Sequence, residues 1–336
     1  MTSLSKKSGA TRIGSGLLLC TLFSASVVQA QTNRSEAPYP THAIRIVVPF
    51  SPGTGIDILA RSLEKDLRAS LKQPIVVDNK AGASGLIGTK DVMHARPDGH
   101  TLLMAAIGHV LVPYVYPKSA QYDPFGDFTP ISLVASGRLM LVAPKGGEIT
   151  SLDDFINKAK ASPGKLTYSS PGAAAPHNLA MELLSRNAGF KVLHVPYSGT
   201  AGALTSILAG EVSVAFLPVH VAMSHVRAGK LIPLALASGK RSAMAPDVPT
   251  LAELGHPGAE ADMWYGLLGP KGLPDGIVQR LQQLVAKALA DPEVLALLEK
   301  QGLEPSASTP EEFEAMMRRE SEKWGKIIQL AGISSE

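Results

Sequence analysis

Cysteine is all but absent. The only one among 336 residues is Cys20, inside an N-terminal segment that reads as removable. A mature chain without thiols excludes disulfides, Cys-ligated zinc, iron–sulfur clusters and a thiol nucleophile. Lipidation of Cys20 is not expected, because a lipid-attachment motif wants a small residue before the Cys and Leu19 stands there. Aromatic residues make up 5% of the chain and charged residues 18%, an ordinary globular balance. Beyond the first 30 residues, no apolar run nears the roughly 18 needed to span a bilayer. Net charge is missing as well: the leader carries three of the 32 basic residues and none of the 29 acidic ones, so the remainder is neutral. That argues against a nucleic-acid binder, whose affinity rests on neutralising phosphates.

What is present begins with an export signal. Lys6, Lys7 and Arg12 precede an apolar stretch from Ile13 to Val28, and Val28-Gln29-Ala30 offers a small-residue cleavage site near Ala30. Residues 31–40 are polar and Pro-containing and read as a short disordered leader. The rest is long enough for two domains at roughly 100–200 residues each.

Strands and helices then alternate. Ile44–Phe50 is a near-continuous apolar run, as in a strand covered on both faces. Asp57 opens a helix with Leu59, Leu63, Leu67 and Leu71 at spacing four. Pro74–Asp78 and Thr101–Ala106 read as further strands, and such repeats imply parallel βαβ units. A long extended stretch, Pro130–Pro144, leads into a second set: a helix capped by Ser151, strands at Lys165–Ser170 and Val192–Val195, helices at His177–Gly189 and Ala203–Gly210, and strands at Val212–Leu217 and Ile232–Ala237. A second extended stretch, Ala261–Pro270, carries the chain back. Two helices finish it, one from Asp275 and one capped by Thr309 with Pro310 and Glu312. No internal repeat of fixed period is present. The expected architecture is α/β: two lobes joined by two extended crossings near 136–142 and 258–264, with a ligand cleft between them.

Four loops mix Gly with Ser or Thr at a strand's C-end before a helix: Ser51–Gly55, Ala81–Gly85, Ser169–Ala173 and Ser198–Gly202. Such loops present free N–H groups and a partial positive charge, which suits an anion without any Lys or Arg. They also occur simply to turn the chain. Enzyme motifs fail. Ile58 stands where a dinucleotide fingerprint needs its third Gly, no phosphate-binding P-loop or nucleophile elbow is present, and no His pair has metal-ligand spacing. The pairs Asp153-Asp154 and Glu311-Glu312 sit at helix starts, where capping accounts for them. Neither a cofactor nor a metal is expected.

Some residues admit two readings. His177, at a helix opening, could donate to a ligand oxygen or satisfy a loop carbonyl. Asp57 could cap its helix or face the cleft. Trp264 and Tyr265 fit a cleft edge, a hinge or the core. Tyr197 precedes a loop and is better placed to touch ligand, whereas Met316, Met317 and Trp324 read as core.

The segments IRIVVPFSPGTGIDILAR, VVDNKAGASGLIGTKDV, YDPFGDFTPISLVA, PGKLTYSSPGAAAPHNLAMELL, HVPYSGTAGALTSILAGEVSVAF and WYGLLGPKGLP occur in that order. The chain thereby resembles the Bug family, the substrate-binding proteins of tripartite tricarboxylate transporters. The resemblance implies a periplasmic receptor of the two-lobe, type II binding-protein fold, with lobe 1 formed by 41–138 and 262–336 and lobe 2 by 139–261. It also implies a non-enzymatic role: capturing a small organic carboxylate and delivering it to integral-membrane permease subunits. A monomer is expected. In that family backbone N–H groups, hydroxyls and ordered waters hold the carboxylate. Pro49, Phe50, Pro52, Gly53, Asp57, Ala60 and Arg61 match its first motif, and Asn79, Lys80, Gly82, Ala83, Gly85, Ile87 and Gly88 its second.

Departures bear on the ligand. Thr54 replaces the family's usual Gly, and alanines fill the loop before His177, where a second Gly and a hydroxyl residue are usual. Family members that bind amino acids often carry an acid after the strand ending in Val214-Ala215-Phe216. Leu217, Pro218, Val219 and His220 stand there, so a ligand without an amine is expected. The candidate ligand-binding residues are Phe50, Ser51, Gly53, Thr54, Gly55, Asp57, Ala83, Ser84, His109, Ser169, Ser170, Gly172, Ala173, His177, Tyr197, Thr200 and Leu217. Two alternatives stay open: a ligand-sensing receptor for a signalling partner, and a hydrolase or lyase pairing Ser84 or Ser170 with His177.

Overall fold

The structure is a computed structural model that describes residues 39–197 and 199–332. The expected export signal with Cys20, residues 31–38 of the expected leader, and Ser198 lie outside the described residues. The strands are β1 (Ile44–Val48), β2 (Ile75–Asn79), β3 (Thr101–Ala106), β4 (Phe128–Gly137), β5 (Leu139–Pro144), β6 (Thr167–Ser170), β7 (Leu193–Pro196), β8 (Val214–Pro218), β9 (Leu231–Leu236), β10 (Met263–Pro270) and β11 (Leu303–Pro305). The helices are α1 (Gly55–Leu71), α2 (Leu86–Met93), α3 (Gly108–Val115), α4 (Pro117–Ala120), α5 (Leu152–Ala161), α6 (Pro176–Ala188), α7 (Thr200–Leu208), α8 (Val219–Arg227), α9 (Asp275–Leu289), α10 (Pro292–Lys300) and α11 (Pro310–Ala331).

Two sheets organise them. One has the order β11-β4-β10-β3-β1-β2 and the other β7-β6-β8-β5-β9. Only β1, β2 and β3, and β6, β7 and β8, form the parallel sets the βαβ pattern implies. The strands β4, β5, β9, β10 and β11 run antiparallel to their neighbours. The stretch read as one extended run, Pro130–Pro144, is two strands in different sheets separated by Arg138 alone. The helices α2, α3, α4, α8 and α10 carry no clear signal in the sequence. Four of the eight residues of α3 are buried apolar ones around Pro113, so its pattern lacks a polar face.

Alternation decides the layers. Ile44, Ile46 and Val48 of β1 face one apolar core with the Leu59, Leu63 and Leu67 stripe of α1 and with Val278 and Leu281 of α9. Val47 and Leu103 face the opposite core, which also holds Phe313 and Trp324 of α11 and extends to Phe155 of α5 and Leu179 of α6 against the second sheet. The C-terminal helix thus returns to the first sheet, as expected, and also touches the second half, where Arg186 donates to Leu330 O at 2.6 Å. Both acidic pairs sit where capping requires. Ser151 Oγ accepts from Asp154 N–H at 3.1 Å, and Thr309 and Glu312 form a reciprocal capping box. Tyr39, at the end of the leader, is packed: its hydroxyl donates to Gly99 O at 2.8 Å and its ring meets His100 edge-on.

Candidate ligand-binding site

The strand registers put the candidate loops of each sheet at the end where the chain crosses between the sheets. In the first sheet β3 ends at Ala106 beside Tyr265, near the start of β10, and β4 ends at Gly137 beside Met263. In the second, β8 ends at Pro218 opposite Leu139, and Leu236 at the end of β9 lies opposite Met140. The chain therefore leaves and re-enters both sheets at the same end as the C-ends of their parallel strands. Every candidate residue lies in a loop, helix opening or strand terminus at those ends.

The β1–α1 loop is braced by Asp57. This carboxylate is 2% exposed. Its Oδ2 accepts the Gly53 N–H at 2.8 Å, Asn79 Nδ2 donates to Oδ1 at 2.9 Å, and Arg61 Nε bridges both oxygens at 3.1 Å. Burial alone would raise its pKa, but the bonds from Arg61, Gly53 and Asn79 outweigh it and hold the group below the usual carboxylate range. Asp57 and the Gly53 N–H are thus engaged within the protein. Thr54 Oγ1 donates to Ser51 O at 2.8 Å, and Phe50 O accepts from Asn79. The N–H groups of Gly55, Ile56 and Asp57, which open α1, have no acceptor among the described residues.

The next loop is strained. Gly82, Ala83, Ser84 and Gly85 all have positive φ, at 134°, 46°, 55° and 92°. Two consecutive non-glycine residues in the left-handed region cost on the order of 1–3 kcal/mol each, and such strain concentrates at ligand sites. The turn leaves the N–H groups of Ala83 and Ser84 without protein acceptors among the described residues. Beneath it lies a cavity of about 10 Å³, room for one water, lined by Phe50, Ser84, Thr89, His109 and Tyr122 among others. His109 is 5% exposed, with Nε2 against Pro124 O at 3.0 Å and Nδ1 unpartnered. Burial pushes its pKa down to about 4.

In the second half the hydroxyls are occupied. Ser169 Oγ donates to Ala203 O at 3.0 Å, and Ser170 Oγ meets His194 Nε2 at 2.6 Å and accepts the Gly172 N–H at 3.2 Å. Ser170 thus partners His194 rather than His177, and at 0% exposure it offers no nucleophile to a substrate. Leu217 is 0% exposed and belongs to the core around Ile207 and Val219. Tyr197 packs its ring over Gly202 and bonds Glu211 at 3.3 Å. The N–H groups of Ala173, Ala174 and Thr200 have no acceptor among the described residues. His177 is 6% exposed, both its ring nitrogens are unpartnered, and burial pushes its pKa down to about 4. It is a neutral imidazole at pH 7.

The cations nearby are held by acids. Arg61 pairs with Asp57, Lys80 with Asp91 at 2.8 Å, and Arg138 with Glu304. Among the described residues no cluster could hold a metal ion, and no helix is long and apolar enough to cross a membrane. A groove of about 510 Å³ lies elsewhere, between the openings of α9 and α11, with Asp275 and Glu311 in its lining. Those acids repel a carboxylate.

Residues 59–333 match the family model described as the tripartite tricarboxylate transporter family receptor, TctC. The chain belongs to the TctC family. Protein BugT of Bordetella pertussis is 33% identical over 323 residues, covering 94% of this chain and 96% of BugT. A R. palustris protein solved with adipate superposes with a TM-score of 0.81 at 31% identity, covering 88% of this chain and 99% of that one. MatC from Rhodopseudomonas palustris with bound malate gives 0.79 at 31%, covering 86% and 100%. The fold of this TctC-family receptor is accordingly the two-lobe fold of periplasmic binding proteins, as the sequence pattern led one to expect.

Tyr265 is ambiguous in the sequence, and Arg138 carries no motif there. Tyr265 OH lies 3.9 Å from where a Cβ on Gly55 would stand. The signal for both is positional: Arg138 is the break between β4 and β5, and Tyr265 lies near the start of β10, just past the second crossing.

Proposed function

We propose that this TctC-family receptor is exported with cleavage near Ala30 and, as a non-enzymatic periplasmic monomer, holds a small organic carboxylate between lobe 1 (41–138 and 262–336) and lobe 2 (139–261) for delivery to membrane permease subunits. One observation carries the ligand class. The N–H groups of Gly55, Ile56, Ala83 and Ser84, at the strand C-ends of one sheet, and of Ala173 and Thr200, at the strand C-ends of the other, have no acceptor among the described residues, and the nearby cations are paired. Donors without a charge suit an anion. Leu217-Pro218-Val219, buried and apolar at the end of β8, offers no acid to an ammonium group, which favours a ligand without an amine.

Binding at an exposed helix opening is worth about 0.3–1 kcal/mol, rising to roughly 2 when partly buried. Micromolar affinity requires about 8 kcal/mol, so donors from both lobes must act together in a closed, dry cleft. A ligand drives such closure only by its preference for the closed state.

Calorimetry at neutral pH against succinate, malate, adipate and benzoate, each beside its amide, tests the reading. Gly55→Pro deletes one donor at the first position of α1, where proline is tolerated. An acid should bind where its amide does not, and Gly55→Pro should weaken it about tenfold. Equal binding of acid and amide, or wild-type affinity in Gly55→Pro, would overturn it.

A further inference from the structure

We propose that the hydroxyl of Tyr265 is a specificity-determining contact of the carboxylate site, donating to the ligand oxygen bound at the opening of α1. This rests on the carboxylate reading above and adds a side chain that the loop pattern did not select.

Tyr265 sits on β10 between Ala106 at the end of β3 and Ala135 of β4, two small neighbours that leave its ring free to reach along the sheet. Its ring packs in the same layer as Phe50, against the core of α1. Among the described residues the only partner of its hydroxyl is the Met263 thioether at 3.8 Å, a weak acceptor. Tyr265 is part-buried, and the thioether leaves most of the hydrogen-bonding capacity of its hydroxyl unused. Burial pushes its pKa up to about 12, so it stays protonated and able to donate.

Gly55 supplies the second half. A Cβ there would meet nothing but the Tyr265 hydroxyl within 4 Å, and a glycine at the first position of a helix has no conformational need to be glycine. The space is therefore open at the point where the α1 N–H groups lack acceptors. The ring also lies 3.9 Å from a Cβ on Gly137, next to the crossing at Arg138. A ligand oxygen in this space meets backbone donors of α1 and a phenol beside the crossing at once.

The test uses full-length mature protein with fluorotyrosine at its tyrosines, the Tyr265 signal being assigned by its loss in Tyr265→Phe. Acetate, malate and adipate are titrated by fluorine NMR and calorimetry in parallel. The Tyr265 signal should move and saturate with the calorimetric Kd of whichever acid binds. Tyr265→Phe should weaken that acid about tenfold at an unchanged urea midpoint. Gly55→Ala should also weaken it while leaving the protein as stable or more so, because alanine favours the helix. Calorimetric binding with a stationary Tyr265 signal, or full affinity in Tyr265→Phe, overturns the tyrosine's role and leaves the carboxylate reading intact. If no acid binds at all, both fall.

Discussion

Asp57 Oδ2 accepts the Gly53 N–H at 2.8 Å. The acid one turn into α1 therefore ties down the loop that precedes it. Its pKa is held below that of an unfolded aspartate, so it contributes stability that is fully present above about pH 4 and lost as pH falls through the folded value. Asp57→Asn should cost about 1–3 kcal/mol at pH 7, and the difference from wild type should shrink at pH 3. Urea unfolding at both pH values checks this, and an equal loss at both would contradict it.

Ala83 and Ser84 hold left-handed backbone at φ 46° and 55°. Ala83→Gly removes a conformational penalty of about 1 kcal/mol while restoring freedom to the unfolded chain. Its net effect on stability should be within about 1 kcal/mol of zero, and acid binding should weaken as the turn loses its preset shape. Calorimetry paired with urea unfolding reads both, and a loss above about 2 kcal/mol would show that the turn is not strained.

His109 and His177 are both neutral in the folded protein, with pKa values pushed from 6.5 to about 4 by burial. The unfolded chain takes up these protons first, so stability is retained above about pH 6.5 and falls as the pH drops toward 4. The loss is on the order of 3 kcal/mol per histidine. His177→Gln should flatten its share of the slope. A urea midpoint that stays level in wild type between pH 6.5 and 4.5 would refute the burial account.

Arg138 is the sole residue between the two sheets at the first crossing. It donates through Nε to Ser238, at the start of the second, and through its guanidinium to Glu304 of β11. Arg138→Gln should cost about 1–2 kcal/mol, because the half-exposed Glu304 is partly screened while the Ser238 bond is buried. It should also broaden the range of lobe separations seen by small-angle scattering. An unchanged scattering profile would mean the clasp does not restrain the crossings.

Gly266 faces Phe313, and a Cβ there would lie 2.1 Å from the ring. Phe313 is 0% exposed and cannot swing out to solvent. Gly266→Ala should destabilise by about 1–3 kcal/mol or more, with thermal unfolding as the measure. Wild-type stability would show that α11 can shift away from β10.

The parts legible in the sequence are those governed by neighbours along the chain. The Leu59, Leu63, Leu67 and Leu71 stripe, the caps at Ser151 and Thr309, and the glycine–serine loops follow from helix period and turn chemistry, which local residues control. The lack of any Cys beyond Cys20, and the balance of charge beyond residue 30, are read from composition alone. Which donors stay open was settled only by distant contacts. Asp57 closes on Gly53 because Asn79 and Arg61 converge there, Ser170 turns to His194, and Leu217 sinks into the core. The break at Arg138 was hidden because both flanking strands are apolar and extended, and periodicity does not report which sheet a strand joins. Hydrogen-bond partners remote in sequence are chosen by packing, so the chain specifies which loops open its helices while the tertiary structure decides which of their N–H groups and side chains are left without an internal partner.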